Sequence, residues 1–195
     1  MVRFWSFFCL LILFASCGAE LGEGVNTTDG VGESEHRVFV TSSTMNGNLG
    51  GLTGADTVCT NSAALAGLSR VYKAVISTTA ENARERLTFS GTIYKVSSGE
   101  KIPIASSGSD LWNTDNANLI GRIDSDEYGN STSGVTNVWT GTTSDGSVQT
   151  TSNCDNWSSQ SNSGTYGSVD QFDDRWINES FTSCNQQFRL FCVSQ

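Results

Sequence analysis

The sequence predicts an α+β domain of mixed short strands and two helices, with a loop-rich second half and two disulfides. Three observations predict it. Of the 195 residues, 37% are hydrophobic and only 16% charged, while 20 are Gly and one is Pro; a chain so rich in Gly, Ser, Thr and Asn favours turns and short strands over long helices. Ten Phe and five Trp nevertheless supply bulk for one core, so global disorder is excluded. Finally, four cysteines, Cys59, Cys154, Cys184 and Cys192, lie beyond an amino-terminal segment that reads as an export signal.

The elements follow in order. The run Val38-Phe39-Val40-Thr41 is β-rich and follows a polar stretch, so it reads as a strand. The glycine-rich residues 42–54 read as a tight loop. Ala55, Val58, Cys59, Ser62, Leu65 and Ala66 recur at three- and four-residue steps, which predicts a helix over 55–65 with Thr53 in its cap region and Gly67 as its stop. Residues 71–76 read as a strand. Thr78 and Glu81 have capping-box spacing, predicting a short second helix over 81–87. Residues 93–96 and 101–104 are short extended pieces around the turn Ser98-Gly99, and residues 110–118 hold a helical turn around Leu111 and Trp112. In the second half, residues 138–140, 148–151 and 188–193 are the expected strands. No internal repeat or heptad array is present.

The amino terminus reads as an address. Arg3 is a positive n-region, residues 4–14 are apolar apart from Ser6, and Ala15 and Ser16 precede Cys17. This pattern is that of a secretory signal peptide over residues 1–16; the apolar run is shorter than the roughly 20 residues a membrane-spanning helix needs. Leu13-Phe14-Ala15-Ser16-Cys17-Gly18 resembles a bacterial lipobox, of the relaxed kind found in spirochaetes. The resemblance implies that Cys17 becomes a lipidated first residue; the alternative is ordinary cleavage near Ala19, which discards Cys17. Two or more acyl chains would hold the protein stably on a membrane. Residues 17–36 then form the lipidated Cys and a flexible tether poor in bulky side chains, and the folded domain spans 37–195.

Four cysteines in an exported domain imply two disulfides, with three possible pairings. Position favours a nested arrangement, because a terminal strand lying beside the first would bring Cys192 to the helix that carries Cys59, while Cys154 and Cys184 bracket a polar loop. Zinc is a poor alternative: there is no CxxC, and the single His, His36, is read as tether.

Several stretches carry a resemblance to a known family. Gly54-Ala55-Asp56, Cys59, Gly67-Leu68 and Tyr72-Lys73-Ala74 resemble the opening of the endostatin domain of collagens. Val138-Trp139-Thr140-Gly141, Asp145-Gly146 and Cys154-Asp155-Asn156-Trp157 resemble its next signature, and Ser183-Cys184 and Leu190-Phe191-Cys192 its end. A bacterial family of unknown function, common among spirochaete surface lipoproteins, is similar over the same span, about residues 37–195. The resemblance implies a C-type-lectin-like (endostatin-like) fold with bridges Cys59–Cys192 and Cys154–Cys184. The chain departs from these relatives in its chemistry. Histidines for the endostatin zinc site are absent apart from His36, no arginine cluster for heparin is present, and the only Pro, Pro103, lies outside any sugar-chelating loop. Calcium-dependent sugar chelation is therefore not expected.

The net charge of -9 opposes nucleic acid and heparin-like polyanions. Asp124 and Asp126, with Glu127 and Gly129, are the best candidates for an oxygen-loving cation, but Tyr128 breaks the pattern and a solvated acidic turn is the simpler reading. Asp170, Asp173 and Asp174 beside Arg175-Trp176 form a second acidic group that a hydrolase could use as an acid–base pair; loop carboxylates of this kind are commonly structural. A Ser–His–Asp or Cys–His engine is disfavoured by the position of His36. The sequons at Asn26, Asn130, Asn156 and Asn178 are those a polar chain acquires by chance. Trp139, Trp157 and Trp176 supply either a binding surface or core.

The expectation is therefore a surface or outer-membrane lipoprotein anchored to the membrane through its lipid. It binds an extracellular protein or glycan through loops between residues 123 and 181, with Asp124, Asp126, Trp157, Asp173 and Trp176 as candidate contacts. No enzyme activity, cofactor or metal is expected. A structural envelope role and a hydrolase with paired carboxylates are the alternatives.

Overall fold

The computed structural model describes residues 35–112, 119–132 and 134–195. The signal segment 1–16, Cys17 and the tether as far as residue 34 lie outside the described residues, as do residues 113–118 of the expected helical turn. The protein is a mixed α+β domain around one largely antiparallel sheet.

The strands are β1 (Glu35–Val40), β2 (Tyr72–Ala74), β3 (Thr92–Lys95), β4 (Ile102–Ala105), β5 (Asn137–Trp139), β6 (Ser163–Ser168), β7 (Ser180–Ser183) and β8 (Arg189–Ser194). Their order is β4-β3-β1-β8-β5-β6-β7, with β2 also pairing β8. The pairs β1–β3 and β5–β8 are parallel. The last strand therefore lies against the first, with Val38, Phe39 and Val40 opposite Val193, Cys192 and Phe191. Proline-bearing β4 sits at one edge, where a missing N–H breaks no inner ladder.

Both faces of the sheet are covered, and the period-2 alternation of β1 and β8 sorts their side chains between two cores. Val38, Val40, Phe191 and Val193 join Ile93, Ile104, Val138 and Trp176 on one face. Phe39, Leu190 and Cys192 join Tyr72, Trp139, Trp157 and α1 on the other. Each large apolar side chain so buried contributes about 1.5–3 kcal/mol.

Helix α1 (Gly51–Leu65) buries Ala55, Cys59, Ser62 and Ala63. It begins four residues before the expected start, with Gly50 at φ 80° as its N-cap in place of the Thr53 region, and Gly67 at φ 77° ends it as expected. The short helices are α2 (Ala83–Arg86) and α3 (Gly108–Leu111). The Thr78–Glu81 box is half made: Glu81 N–H donates to Thr78 Oγ1, and the helix itself starts beyond Asn82. A complete box closes instead on α3, between Ser107 and Asp110.

Three expectations are corrected. Glu35 and His36 belong to β1 and not to the tether. Residues 148–151 form no strand; Val148 makes an isolated bridge to Thr142, and the chain turns at Thr150 and Thr151. Strands β6 and β7 arise where loop was expected. Glycine makes β6 possible: a Cβ on Gly164 would lie 2.5 Å from Cys154 Sγ and 2.8 Å from the Trp139 ring.

The two disulfides are nested. Cys59–Cys192 ties α1 to β8, and Cys154–Cys184 ties the loop after β5 to the end of β7, with Cα–Cα distances of 5.4 and 5.7 Å.

Candidate binding site

Of the acidic residues singled out in the sequence, Asp124, Asp126, Glu127 and Asp173 are internally committed, while Asp170 and Asp174 are exposed. Lys95 Nζ donates to Asp124 at 2.6 Å. Asp126 accepts from the backbone of Tyr128 and Asn130, closing its own turn. Glu127 is buried and accepts from Ser42 N and Oγ. The 124–130 loop is thus stapled to β1's exit and to β3 by the very carboxylates a cation would need. No group of three His, Cys, Asp or Glu suited to a metal occurs among the described residues.

Asp173 chelates the Arg175 guanidinium through both oxygens, at 2.6–3.1 Å, and caps the following 3-10 turn (Asp174–Trp176). Its carboxyl is held below the ordinary aspartate range, chiefly by the Arg175 side chain, and Arg175 is raised in turn by Asp173. Asp145 is lowered as well, first by the Thr143 hydroxyl and then by Ser147 and Arg84.

Trp157 and Trp176, offered as ligand contacts, are at most 1% exposed and belong to the core, as does Trp139. Trp157 Nε1–H donates to Ser77 O at 2.8 Å. His36 is also buried. Its Nδ1–H donates to Ser194 O at 2.8 Å while Nε2 accepts from Ser90 N at 3.1 Å. With the Nε2 lone pair already accepting that backbone N–H, Ser90 Oγ at 3.4 Å gains no general base. The ring serves to fix the start of β1.

The most unusual backbone among the described residues is at Cys154–Trp157. Four consecutive non-glycine residues have φ of 53°, 54°, 54° and 66°, a single left-handed helical turn. Each residue held there costs about 1–2 kcal/mol, least for Asp and Asn, and such backbone persists only where its surroundings over-determine it. Here they do. Asn153 Oδ1 accepts from Asn156 N–H, and Cys154 O accepts from Ser158 and Ser159. Trp157 O accepts from Leu49 and Gly50, and Asn156 Oδ1 accepts from Thr79 N and Oγ1. The disulfide sulfur of Cys154 is pinched between Gly47 and Gly164.

Beside this turn opens a cleft of about 420 Å³, within the roughly 300–1,000 Å³ usual for small-molecule sites. Its walls are Thr150 and Thr151, the turn residues Asn153 and Asp155, and residues 161–163 leading into β6. The walls are held together by the backbone: Thr165 N–H donates to Ser152 O at 2.7 Å, and Cys184 N–H donates to Asn162 O at 2.7 Å. Apart from Asn153, no lining side chain hydrogen-bonds another described residue, and Thr150, Thr151, Asp155, Ser161 and Asn162 are exposed.

A family model described as "Protein of unknown function (DUF1554)" matches residues 42–173, more than half of the chain. The chain belongs to this family. The DUF1554 match takes in α1, the left-handed turn and the cleft residues, and with them Cys59 and Cys154. Strands β1, β7 and β8 lie beyond it, together with the disulfide partners Cys184 and Cys192. No curated protein matches the chain. Among the described residues no helix is long and apolar enough to cross a membrane.

The cleft was missed in the sequence because its lining is indistinguishable from ordinary polar loop. The one local signal was Asp155-Asn156, a pair tolerant of left-handed backbone.

Proposed function

We propose that this DUF1554 protein is an exported, lipid-anchored binding module of the spirochaete-lipoprotein type. Residues 1–16 are its signal, Cys17 its acylated first residue, and its C-type-lectin-like domain meets an extracellular ligand at the cell surface. The observation that carries the binding role is the cleft beside the left-handed turn. Strained backbone and a disulfide fix the chain segment that carries polar side chains the fold itself does not hydrogen-bond. Two disulfides in so small a domain support an oxidising compartment, hence export. Of the acidic candidates for hydrolysis, Asp173 is tied up with Arg175 and caps its own turn, and this supports a binding protein over an enzyme.

The anchor is tested by mass spectrometry of the native amino terminus. An acyl-modified Cys17 is expected, with Cys17→Ser releasing the protein from detergent extracts of membranes. A mature terminus at Ala19 sinks the lipoprotein reading. The binding role is tested by capture on immobilised matrix proteins and glycans, comparing the native domain with a variant whose cleft is filled, Thr151→Arg with Asn162→Arg. Both side chains are exposed, so the fold tolerates them. Equal capture by the two proteins across the panel refutes the cleft as the recognition surface.

A further inference from the structure

We infer that the cleft takes an uncharged saccharide, a deepening that rests on the binding-module reading above. Three features of the lining point to this chemistry.

The first is its hydrogen-bonding character. Thr150, Thr151, Ser161 and Ser163 each offer a hydroxyl that both donates and accepts, Asn162 adds an amide with donors and an acceptor, and Asp155 adds a carboxylate acceptor. A sugar hydroxyl also donates and accepts at once, so a mixed set of this kind satisfies it without leaving either partner unpaired. A purely cationic or purely anionic ligand would leave most of these groups unmatched.

The second is charge. Asp155 is the only ionised group in the lining, and the whole chain carries -9. Sulfated, phosphorylated and sialylated ligands are opposed by both. A single carboxylate is also too few for a stable hard-cation site, which takes six to eight oxygens for calcium, so recognition proceeds without a bridging ion.

The third is the absence of an apolar foothold. Peptide and protein ligands anchor through aromatic or aliphatic side chains in desolvated pockets. None of the residues that line this cleft is apolar. Its walls are also rigid, since the Cys154–Cys184 bridge and the backbone bonds from Thr165 and Cys184 fix both sides. A backbone already fixed loses little freedom on binding, which is what a weakly held, water-competing ligand requires.

The test is a titration of the isotopically labelled domain, disulfides intact, with cellobiose, lactose and diacetylchitobiose, against sialyllactose and a heparin disaccharide as charged controls. At least one neutral sugar should shift the amide resonances of Thr151, Asp155, Asn162 and Ser163, with little change as salt is raised to about 0.5 M, and the charged controls should not. Thr151→Ala and Asn162→Ala should each weaken that binding about two- to tenfold, the worth of one hydrogen bond, while leaving the rest of the spectrum in place. Shifts confined to other surfaces overturn the site. If no neutral sugar shifts the cleft while a captured protein ligand does, the saccharide inference falls and the binding-module reading stands. If neither sugars nor proteins perturb the cleft, both fall.

Discussion

The Asp56–Arg86 pair offers a sharp test of how the helix is fastened to the sheet. Arg86 on α2 is 3% exposed at its side chain; its Nη2 donates to Asp56 on α1 and its Nη1 to Ala74 O on β2. Asp56 also accepts from Ala74 N–H at 2.9 Å through its other oxygen. One carboxylate thus neutralises a buried guanidinium and satisfies a strand-end donor, and the next carboxylate, Glu81, is 4.0 Å from Arg86 Nε and half exposed. Asp56→Ala strands a buried cation and leaves the Ala74 N–H without its acceptor, so it should cost about 3–5 kcal/mol. Arg86→Met removes the charge that needed a partner. Asp56 is 26% exposed and turns to water while still accepting from Ala74, so the loss should be about 1–2 kcal/mol, close to that of a lost charge-assisted hydrogen bond. With the cation already gone, adding Asp56→Ala to Arg86→Met should cost far less than it does alone. The assay is urea unfolding of the four oxidised proteins, followed by tryptophan fluorescence and far-ultraviolet circular dichroism. Equal single-variant losses that add within about 0.5 kcal/mol in the double variant would refute the reasoning and mark the pair as an ordinary surface contact.

Other outcomes follow from the same geometry. In the chain-entropy model, removing Cys154–Cys184, whose ends are 30 positions apart, costs about 3.5 kcal/mol and removing Cys59–Cys192, separated by 133, about 5 kcal/mol; paired Cys→Ser variants in urea measure both, and the inner pair alone should disturb the cleft resonances. Asp145 has a folded pKa below its unfolded value, so its contribution is full above the ordinary aspartate pKa of about 3.9 and is lost as the pH falls through the lower folded value. Asp145→Asn should therefore flatten the acid limb of the stability curve below that point, and an unchanged limb counts against the Thr143 and Ser147 bonds as the cause. Asp155 holds a left-handed φ in the open, so Asp155→Gly should hold stability level or raise it by up to about 1 kcal/mol, whereas Asp155→Val should lower it by at least that amount. Equal thermal midpoints for Gly and Val would deny the left-handed turn.

What the sequence disclosed was whatever apolar periodicity and sulfur could encode. Strands β1 and β8 alternate cleanly because each face meets a different core, and the cysteine positions followed once the first and last strands were neighbours. Strands β6 and β7 were illegible for a physical reason. In β6, SGTYGS, the space over Gly164 and Gly167 is already filled by Cys154, Trp139 and the Trp176 carbonyl, so small residues are required where a strand pattern would show large ones, while β7, SFTS, is a largely exposed edge strand with no apolar face to bury. His36 misled through its polarity: two backbone partners 54 and 158 residues away satisfy the ring inside the fold, and no local pattern reports them. Trp157 and Trp176 were ambiguous by nature, since a tryptophan's area serves a core as readily as an interface.

The division of labour between charged and neutral residues ties the fold to the site. Asp56, Asp124, Glu127, Asp145 and Asp173 each hold a cation, a cap or a turn, so these carboxylates are internal fastening. Carboxylates so engaged cannot also serve a ligand without loosening the loop they close. Under the proposed binding role, recognition falls to side chains without a hydrogen bond to another described residue, and beside the left-handed turn these are hydroxyls, an amide and the Asp155 carboxylate. The geometry that makes them useful does not come from their own interactions. It comes from the buried layer beneath them, where Gly47 and Gly164 close on the Cys154 sulfur and Trp157 hangs from Ser77. Changes in that layer should therefore alter binding without touching a ligand, and changes in the lining should alter binding without unfolding the domain.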